Sequence, residues 1–191
     1  MDSTLIPTGD LKRVSGTALD FTQACVQLAP RLLELPGGID HNFVIATDAC
    51  GSAAAAAEEC GSCSVIEGVV RGASEPGGMV CVKLGLQQPP FSEVPQGTVP
   101  VAELREPETG RGLVLSSNAP GLQVYTGNFL EGAPGKGGVV YRKQQSVCLE
   151  SQTFPNSVNA EAFPSPFVRP GEVYRHRMDV RFFQFAGGAV A

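Results

Sequence analysis

The sequence has 191 residues, a formal net charge of -5, and hydrophobic and charged fractions of 42% and 17%. This length and composition predict a folded protein with a sizeable core, and the lack of a basic excess argues against nucleic acid as a partner. No stretch is long and apolar enough to span a membrane and no secretion signal is evident, so we expect a cytoplasmic protein with free thiols at its 6 cysteines.

Glycine and proline are abundant, at 23 and 15 residues, which favours a turn-rich β protein over a helical one. Residues 4–9 predict a strand that runs into a turn, and residues 16–21 predict a second extended segment. Residues 28–35 predict one or two helical turns that end at a proline followed by two glycines. A polar triplet at 40–42 then leads into a short apolar strand.

The amino-acid composition of the chain differs between about residue 51 and residue 98 from that of the rest. An alanine run is followed by glycine- and proline-rich loop signals, and between them residues 80–87 alternate in the pattern of a half-buried strand. We interpret this region as a β-hairpin with an enlarged tip.

Cysteines in the same region raise a separate hypothesis. Cys60 and Cys63 have the two-residue spacing of many zinc or redox pairs, and Cys50 and Cys81 would be the further ligands. Their spacings match no common zinc module, and the pair does not open a helix after a strand as a thioredoxin-type site does. We therefore predict loop cysteines that hold no metal.

Strand and turn signals continue to the end of the chain. Residues 101–104 and 112–115 flank a proline-led loop and predict a hairpin, and residues 118–129 predict a turn followed by a strand. From residue 173 to residue 182, side chains alternate between a largely apolar face and a charged one, which indicates a long antiparallel strand with one wet face. Hairpin-linked strands without a βαβ rhythm predict an all-β antiparallel sandwich or a related architecture.

Residues 147–155 contain a carboxylate in an otherwise uncharged strand. Alternation places Cys148, Glu150 and Gln152 on one face of this strand. A charge is costly to bury unless it is paired, so Glu150 either points to solvent or lines a polar cavity. This segment alone favours a solvated strand face, and the residues elsewhere in the chain decide between the two.

Six segments, taken in order, resemble the C-terminal half of the aldose 1-epimerase (galactose mutarotase) family. They are Thr4-Leu5-Ile6-Pro7-Thr8-Gly9, Gly16-Thr17-Ala18-Leu19-Asp20-Phe21, Asp40-His41-Asn42-Phe43, residues 120–129 (PGLQVYTGNF), Cys148-Leu149-Glu150-Ser151-Gln152 and Arg169-Pro170-Gly171-Glu172. Each is a weak signal alone, but six in the right order are specific. The resemblance implies a β-sandwich of the galactose mutarotase type that is incomplete because its N-terminal strands are absent. Residues 1–191 would form a single partial domain with an enlarged loop or hairpin insertion at about 51–98.

The resemblance also implies a function. Members of the family interconvert the α and β anomers of free hexoses such as galactose and glucose, without a metal or cofactor. Glu150 matches the family's general base, and Asp40 and Gln123 match residues that hydrogen-bond the sugar hydroxyls. A base that takes the proton of the C1 hydroxyl while an acid protonates the ring oxygen opens the ring, and reclosure gives the other anomer.

One part of the family pattern has no match in this sequence. The general-acid histidine, a second histidine and an Arg/Asn sugar-binding motif belong to the family's N-terminal half. His41 is not at the acid position, and His176 lies on the apolar face of the last predicted strand, as a core histidine would. We therefore expect little turnover by this chain alone, and expect that a further chain or segment supplies the missing half. The alternative is a non-catalytic carbohydrate-binding remnant.

Overall fold

The computed structural model describes residues 6–21, 27–45, 69–70, 80–84 and 97–186, with the backbone alone at 69–70 and 80–83. Within these ranges the chain forms one α-helix, α1 at Leu28–Glu34. The strands are β1 at Asp40–Val44, β2 at Val69–Val70, β3 at Val80–Leu84, β4 at Val99–Glu106, β5 at Arg111–Ser117, β6 at Gly121–Tyr125, β7 at Glu131–Pro134, β8 at Val140–Arg142, β9 at Cys148–Gln152 and β10 at Met178–Gln184. Short 3₁₀ turns lie at Lys136–Gly138 and Ser157–Asn159.

The described strands form three antiparallel sheets. The first has three strands in the order β1-β6-β9, and the second has five in the order β10-β5-β4-β3-β2. A separate two-stranded hairpin joins β7 to β8. The sequence predictions of a helix at 28–35, of a strand after Asp40, and of the β4–β5 hairpin are confirmed.

Local chemistry explains where these elements end. The helix stops before Pro36, and Gly38 follows with a φ of 72°, a left-handed conformation that favours glycine. In the β4–β5 loop the carboxylate of Glu106 accepts the backbone N–H groups of Glu108 and Thr109, both at 2.7 Å. These bonds satisfy donors that a tight turn would otherwise leave unpaired.

One apolar cluster joins the two larger sheets. Phe43, Leu122 and Val124 from the first sheet belong to the same buried cluster as Leu84, Ala102 and Leu115 from the second. Helix α1 adds Leu28 and Leu32, and the preceding segment adds Phe21. Two antiparallel sheets that share one core are a β-sandwich, so the predicted fold class is confirmed. The assignment of residues 1–191 to a single partial domain stays a prediction, and most of 51–98 lies outside the described residues.

The C-terminal strand is shorter than its pattern predicts. Strand β10 begins at Met178, because the side chain of Asn118 takes the backbone bonds that a strand partner would use. Its Nδ2 donates to the Arg175 carbonyl at 3.0 Å, and its Oδ1 accepts the Arg177 N–H at 2.9 Å. The expectation of a core His176 is wrong, since this side chain is exposed and lies 3.1 Å from the Ser151 hydroxyl.

Candidate functional site

Strand β6 is the centre of the three-stranded sheet, and its two neighbours carry polar side chains on the same face as Gln123. In the register of the sheet, Gln123 is directly opposite Asn42 on β1 and Glu150 on β9. Tyr125, two residues further along β6, is opposite Asp40. Because directly opposed residues and residues two apart share a face, these side chains form one polar surface, which we call the polar face.

The opposite face of the same sheet belongs to the core. Phe43, Leu122 and Val124 alternate with the polar residues and are at most 5% exposed. The sequence therefore positions the polar face through simple alternation, because the burial of one set of side chains forces the other set to the outside.

Asp40 and Gln123 are in direct contact. Gln123 Nε2 donates to Asp40 Oδ1 at 2.7 Å. This bond favours the orientation in which the amide nitrogen faces Asp40, since a carboxylate accepts only from the nitrogen end. The carbonyl end, Oε1, is buried and has no hydrogen-bond partner among the described residues.

A second group of hydrogen bonds holds the start of β1. The Thr126 hydroxyl accepts the backbone N–H of Ile39 at 2.9 Å and donates to Asn128 Oδ1 at 2.7 Å. Asn128 Nδ2 then donates to the carbonyl of Ile39 at 2.8 Å. Thr126 and Asn128 are buried, so this arrangement anchors the residue before Asp40 to the end of β6.

Glu150 lies on β9, which is an edge strand of the described sheet, and its side chain is exposed. Cys148 shares its face. Burial, and then the negative charge of Glu150, raises the pKa of the Cys148 thiol. The next residue, Ser151, points to the other face, where its hydroxyl contacts that of Ser117 in the five-stranded sheet.

Neither histidine of the chain lies on the polar face. His41 alternates with Asp40 and therefore lies on the other face of β1, where its Nδ1 accepts the backbone N–H of Asp40 at 3.1 Å. Burial lowers the pKa of His41, and the nearby Asp40 charge offsets part of this effect. His176 contacts Ser151, which points away from Glu150. The structure thus does not bring a histidine together with Glu150.

The cysteine hypothesis is not addressed by the described part of the chain. Cys50, Cys60 and Cys63 lie outside it, and Cys81 is described only as a backbone position in β3. Among the described residues, no three His, Cys, Asp or Glu side chains form a group that could hold a metal ion.

In the same residues, no helix has the length and apolar character needed to cross a membrane.

Sequence reasoning misses two members of the polar face, Asn42 and Tyr125. The signal that identifies them is their two-residue spacing from Asp40 and Gln123, which places them on the same face once both segments are strands. The Tyr125 hydroxyl accepts the backbone N–H of Phe129 at 3.1 Å, and the two rings stack with centroids 6.3 Å apart.

Comparisons with known proteins point to one family. The chain is 33% identical to the galactose mutarotase of Homo sapiens over 184 residues, which is 95% of this chain and 40% of that protein. It is 33% identical to the galactose mutarotase of Sus scrofa over 178 residues, or 92% of this chain and 38% of that protein. It is also 42% identical to the aldose 1-epimerase of Escherichia coli (strain K12) over 72 residues, which are 37% of this chain and 21% of that protein.

The chain thus spans about 40% of the length of the mammalian relatives that it matches. The family model described as aldose 1-epimerase matches residues 86–181, a range that contains β4 to β6, β9 and most of β10. This match covers about half of the 191 residues, and the chain belongs to the aldose 1-epimerase family.

Proposed function

We propose that this chain binds a free hexose such as galactose or glucose on the polar face and contributes to the interconversion of its α and β anomers. Glu150 is the general base in this proposal. Asp40 and Gln123 hydrogen-bond the sugar hydroxyls. No metal or cofactor takes part.

The main support for the proposal is that three predicted site residues, far apart in sequence, lie on the same face of one sheet. Gln123 is directly opposite Glu150 in the sheet and donates to Asp40 at 2.7 Å. A sugar hydroxyl both donates and accepts, so a surface that offers a carboxylate, an amide and a second carboxylate can bind several adjacent hydroxyls. The exposure of Glu150 supports its role, because the base must reach the C1 hydroxyl of a bound sugar.

Ring opening and ring closure each involve two proton transfers. Glu150 takes the proton of the C1 hydroxyl as the bond between C1 and the ring oxygen breaks, which gives the free aldehyde. The ring oxygen gains a proton in the same step. After rotation about the C1–C2 bond, the hydroxyl formed from the ring oxygen attacks the other face of the carbonyl and gives its proton back to the group that supplied it. Glu150 returns its proton to the new C1 hydroxyl.

The donor to the ring oxygen is the incomplete part of this scheme. His41 lies on the other face of β1, and His176 contacts Ser151, whose side chain points to the other face of β9, so neither shares the polar face with Glu150. We propose that water, or a side chain from another polypeptide segment, supplies this proton. Water alone is a poor acid at neutral pH, so the chain by itself would be a weak catalyst.

Polarimetry on freshly dissolved α-D-galactose and α-D-glucose tests the proposal. We expect optical rotation to relax faster with the protein than in buffer, and Glu150→Gln to abolish the difference, since an amide cannot accept the proton. Binding of galactose, followed by NMR titration, should survive in Glu150→Gln. A protein that neither binds a hexose nor accelerates the relaxation contradicts the proposal.

A second function is favoured by the same absence of a histidine from the polar face that carries Glu150. The chain would then be a non-catalytic carbohydrate-binding protein that uses Asp40, Gln123 and Glu150 to hold a sugar. It predicts galactose binding with relaxation no faster than in buffer. The two measurements together therefore separate the enzyme from the binding protein.

We further propose that another chain or segment covers the apolar side of β10. Val180 is opposite the buried Leu115, so the core-facing side of the five-stranded sheet continues onto β10. There Met178, Val180 and Phe182 are 48%, 42% and 77% exposed. The fitting partner is a set of further strands of the same sandwich. Coexpression with a segment from the remaining length of a mammalian relative should give a complex that copurifies and relaxes galactose faster than this chain alone.

A further inference from the structure

Asn42 occupies the middle of β1 on the polar face, directly opposite Gln123. Its amide packs over Gly121, beside the ring of Phe154. A Cβ placed on Gly121 would lie 2.6 Å from Asn42 Oδ1 and 2.9 Å from Phe154 Cδ1. Both distances are too short for a carbon atom, so the glycine at 121 leaves the space in which the Asn42 amide sits.

Two buried polar atoms on this face have no hydrogen-bond partner among the described residues. They are Asn42 Nδ2 and Gln123 Oε1. One is a donor and the other an acceptor, and they belong to side chains that face each other across neighbouring strands. A buried polar group without a partner destabilises the folded state. Two such atoms on facing side chains therefore need an explanation.

Asn128, which is buried, shows how an asparagine amide is held when it stabilises the fold. Asn128 donates through Nδ2 to the Ile39 carbonyl at 2.8 Å and accepts through Oδ1 from the Thr126 hydroxyl at 2.7 Å. Both ends of that amide are paired, whereas the donor end of Asn42 is not. The amide of Asn42 therefore does not stabilise the ligand-free fold in the way that the amide of Asn128 does.

The neighbouring bond indicates what the Asn42 amide can do. Gln123 Nε2 already donates to Asp40 Oδ1, so Oε1 is the end that remains to be fixed. Glu150 is opposite Gln123 on the other neighbouring strand, β9. When ionised it has only acceptor oxygens, so it cannot pair with Oε1. Asn42 Nδ2 is the complementary donor on the opposed residue, and Cβ atoms of opposed residues are about 5 Å apart, within reach of an amide rotation.

We propose that Asn42 is a positioning residue for the sugar site, and that its Nδ2 donates to Gln123 Oε1 when a hexose is bound. The three side chains Asn42, Gln123 and Asp40 then form one hydrogen-bonded row. This row prevents the Gln123 amide from turning over, which would set its carbonyl oxygen against the Asp40 carboxylate. The inference rests on the proposed function, because it concerns the same sugar-binding face.

The test compares Asn42→Leu with Asn42→Asp in the full chain. Leucine has a similar shape but no polar atoms, and aspartate has the same size but no donor when ionised. We expect each to weaken galactose binding by about 10-fold in NMR titrations, the order expected for one hydrogen bond. The melting temperature of Asn42→Leu should stay within about 2 °C of the wild type or rise, because no bond is lost in the ligand-free protein.

A double-mutant cycle checks that Asn42 acts through Gln123. In a Gln123→Met background, Asn42→Leu should change galactose affinity by less than about 2-fold, since the amide that it orients is gone. Asn128→Leu is the matched control for the melting temperature. It removes an amide that is paired at both ends, and it should lower the melting temperature clearly.

The possible contrary results distinguish failure of the Asn42 role from failure of the proposed function. If the wild type binds galactose and Asn42→Leu binds it equally well, the positioning role is wrong and the proposed function stands. A loss that persists in the Gln123→Met background means direct contact with the sugar, and a fall in melting temperature as large as that of Asn128→Leu means a structural role. Either result overturns the inference. If the wild type binds no hexose, the proposed function fails and the inference falls with it.

Discussion

At the scale of single residues, His41 links the pH response of the protein to the strand that carries Asp40. Its Nδ1 accepts the Asp40 backbone N–H at 3.1 Å, a role that requires an unprotonated ring nitrogen. Burial of the imidazole lowers its pKa below the ordinary value of 6.5, against a smaller opposing effect of the Asp40 charge. The folded protein therefore binds the proton less readily than the unfolded chain.

This shift predicts a loss of stability in mild acid. Because the pKa of His41 is lower in the folded state, its contribution is fully present above the unfolded pKa and is lost as the pH falls below about 6.5. His41→Gln cannot titrate, so its melting temperature should fall less steeply than that of the wild type between pH 7 and pH 5. Thermal denaturation at a series of pH values measures both slopes. Parallel curves across this range would contradict the prediction.

Cys148 provides a chemical probe of the Glu150 charge. Burial, and then the charge of Glu150, raises the pKa of this thiol, so less of the reactive thiolate is present at pH 8 than at an ordinary cysteine. Glu150→Gln removes one of the two causes and should increase the rate at which iodoacetamide modifies Cys148. Peptide mass spectrometry follows this site apart from the other 5 cysteines of the 6 in the sequence. An unchanged rate would show that the charge of Glu150 does not affect the pKa of the Cys148 thiol.

At the scale of elements, the hairpin of β4 and β5 is completed by an aromatic contact from β10. A Cβ on Gly112 would lie 2.3 Å from Phe183 Cζ, so the ring lies where a side chain at 112 would be. The guanidinium of Arg105 is 5.7 Å from the centre of the Phe183 ring and 5.3 Å from that of Phe185. The glycine thus lets the last strand pack its ring directly on the backbone of β5.

Gly112→Ala should therefore destabilise the protein through overpacking. We expect a loss of about 1–3 kcal/mol in the free energy of unfolding, because the Phe183 ring must shift from its contact. Gly37→Ala is the matched control, since a Cβ there meets no atom within 4 Å, and it should change stability by no more than about 0.5 kcal/mol. Urea denaturation measures both variants. Equal stabilities for the two would contradict the role given to the ring.

A comparison of predicted and observed strands shows which strand positions follow from sequence patterns. For β1, β6 and β9, a strand is found in each of the three predicted segments, but β1 already begins at Asp40, within the polar triplet, and β6 ends at Tyr125, before the predicted end at residue 129. Strand β10 does not start where its alternation begins at residue 173. Alternation reports side-chain faces but not backbone partners, and the bonds of Asn118 to Arg175 and Arg177 come from a residue more than fifty positions away.

At the scale of the whole molecule, the uncovered side of β10 is the main expected source of association. Met178, Val180 and Phe182 continue the core-facing side of a sheet but are exposed, and no part of the chain that the structure describes covers them. Contiguous apolar side chains of this kind usually mark an interface or cause aggregation. The chain should therefore associate in a concentration-dependent manner.

Replacing Val180 and Phe182 with lysine should reduce this association without unfolding the protein. Both side chains are more than 40% exposed, so their removal costs little burial. Sedimentation at several concentrations compares this variant with the wild type. Val139→Lys, at a position that is 57% exposed outside the two larger sheets, is the control and should leave association unchanged. A monodisperse wild-type monomer with a sharp melting transition would contradict the expectation.

The fold class and the choice of candidate site residues can both be predicted from the sequence. Asp40, Gln123 and Glu150 lie in short segments whose residue order resembles the family, and the class follows from strand periodicity and turns. These are local properties, so a single sequence carries them. The roles of the three residues stay predictions.

How these side chains meet depends on the packing of the folded chain. The register of β6 with β1 and β9 sets Gln123 opposite both Asn42 and Glu150, and it turns His41 away from them. Register depends on how the apolar face of each strand packs into the shared core, and a shift by one residue would reverse every face. Contacts between residues 83 positions apart, such as Gln123 with Asp40, are fixed by this packing and cannot be read from either segment alone.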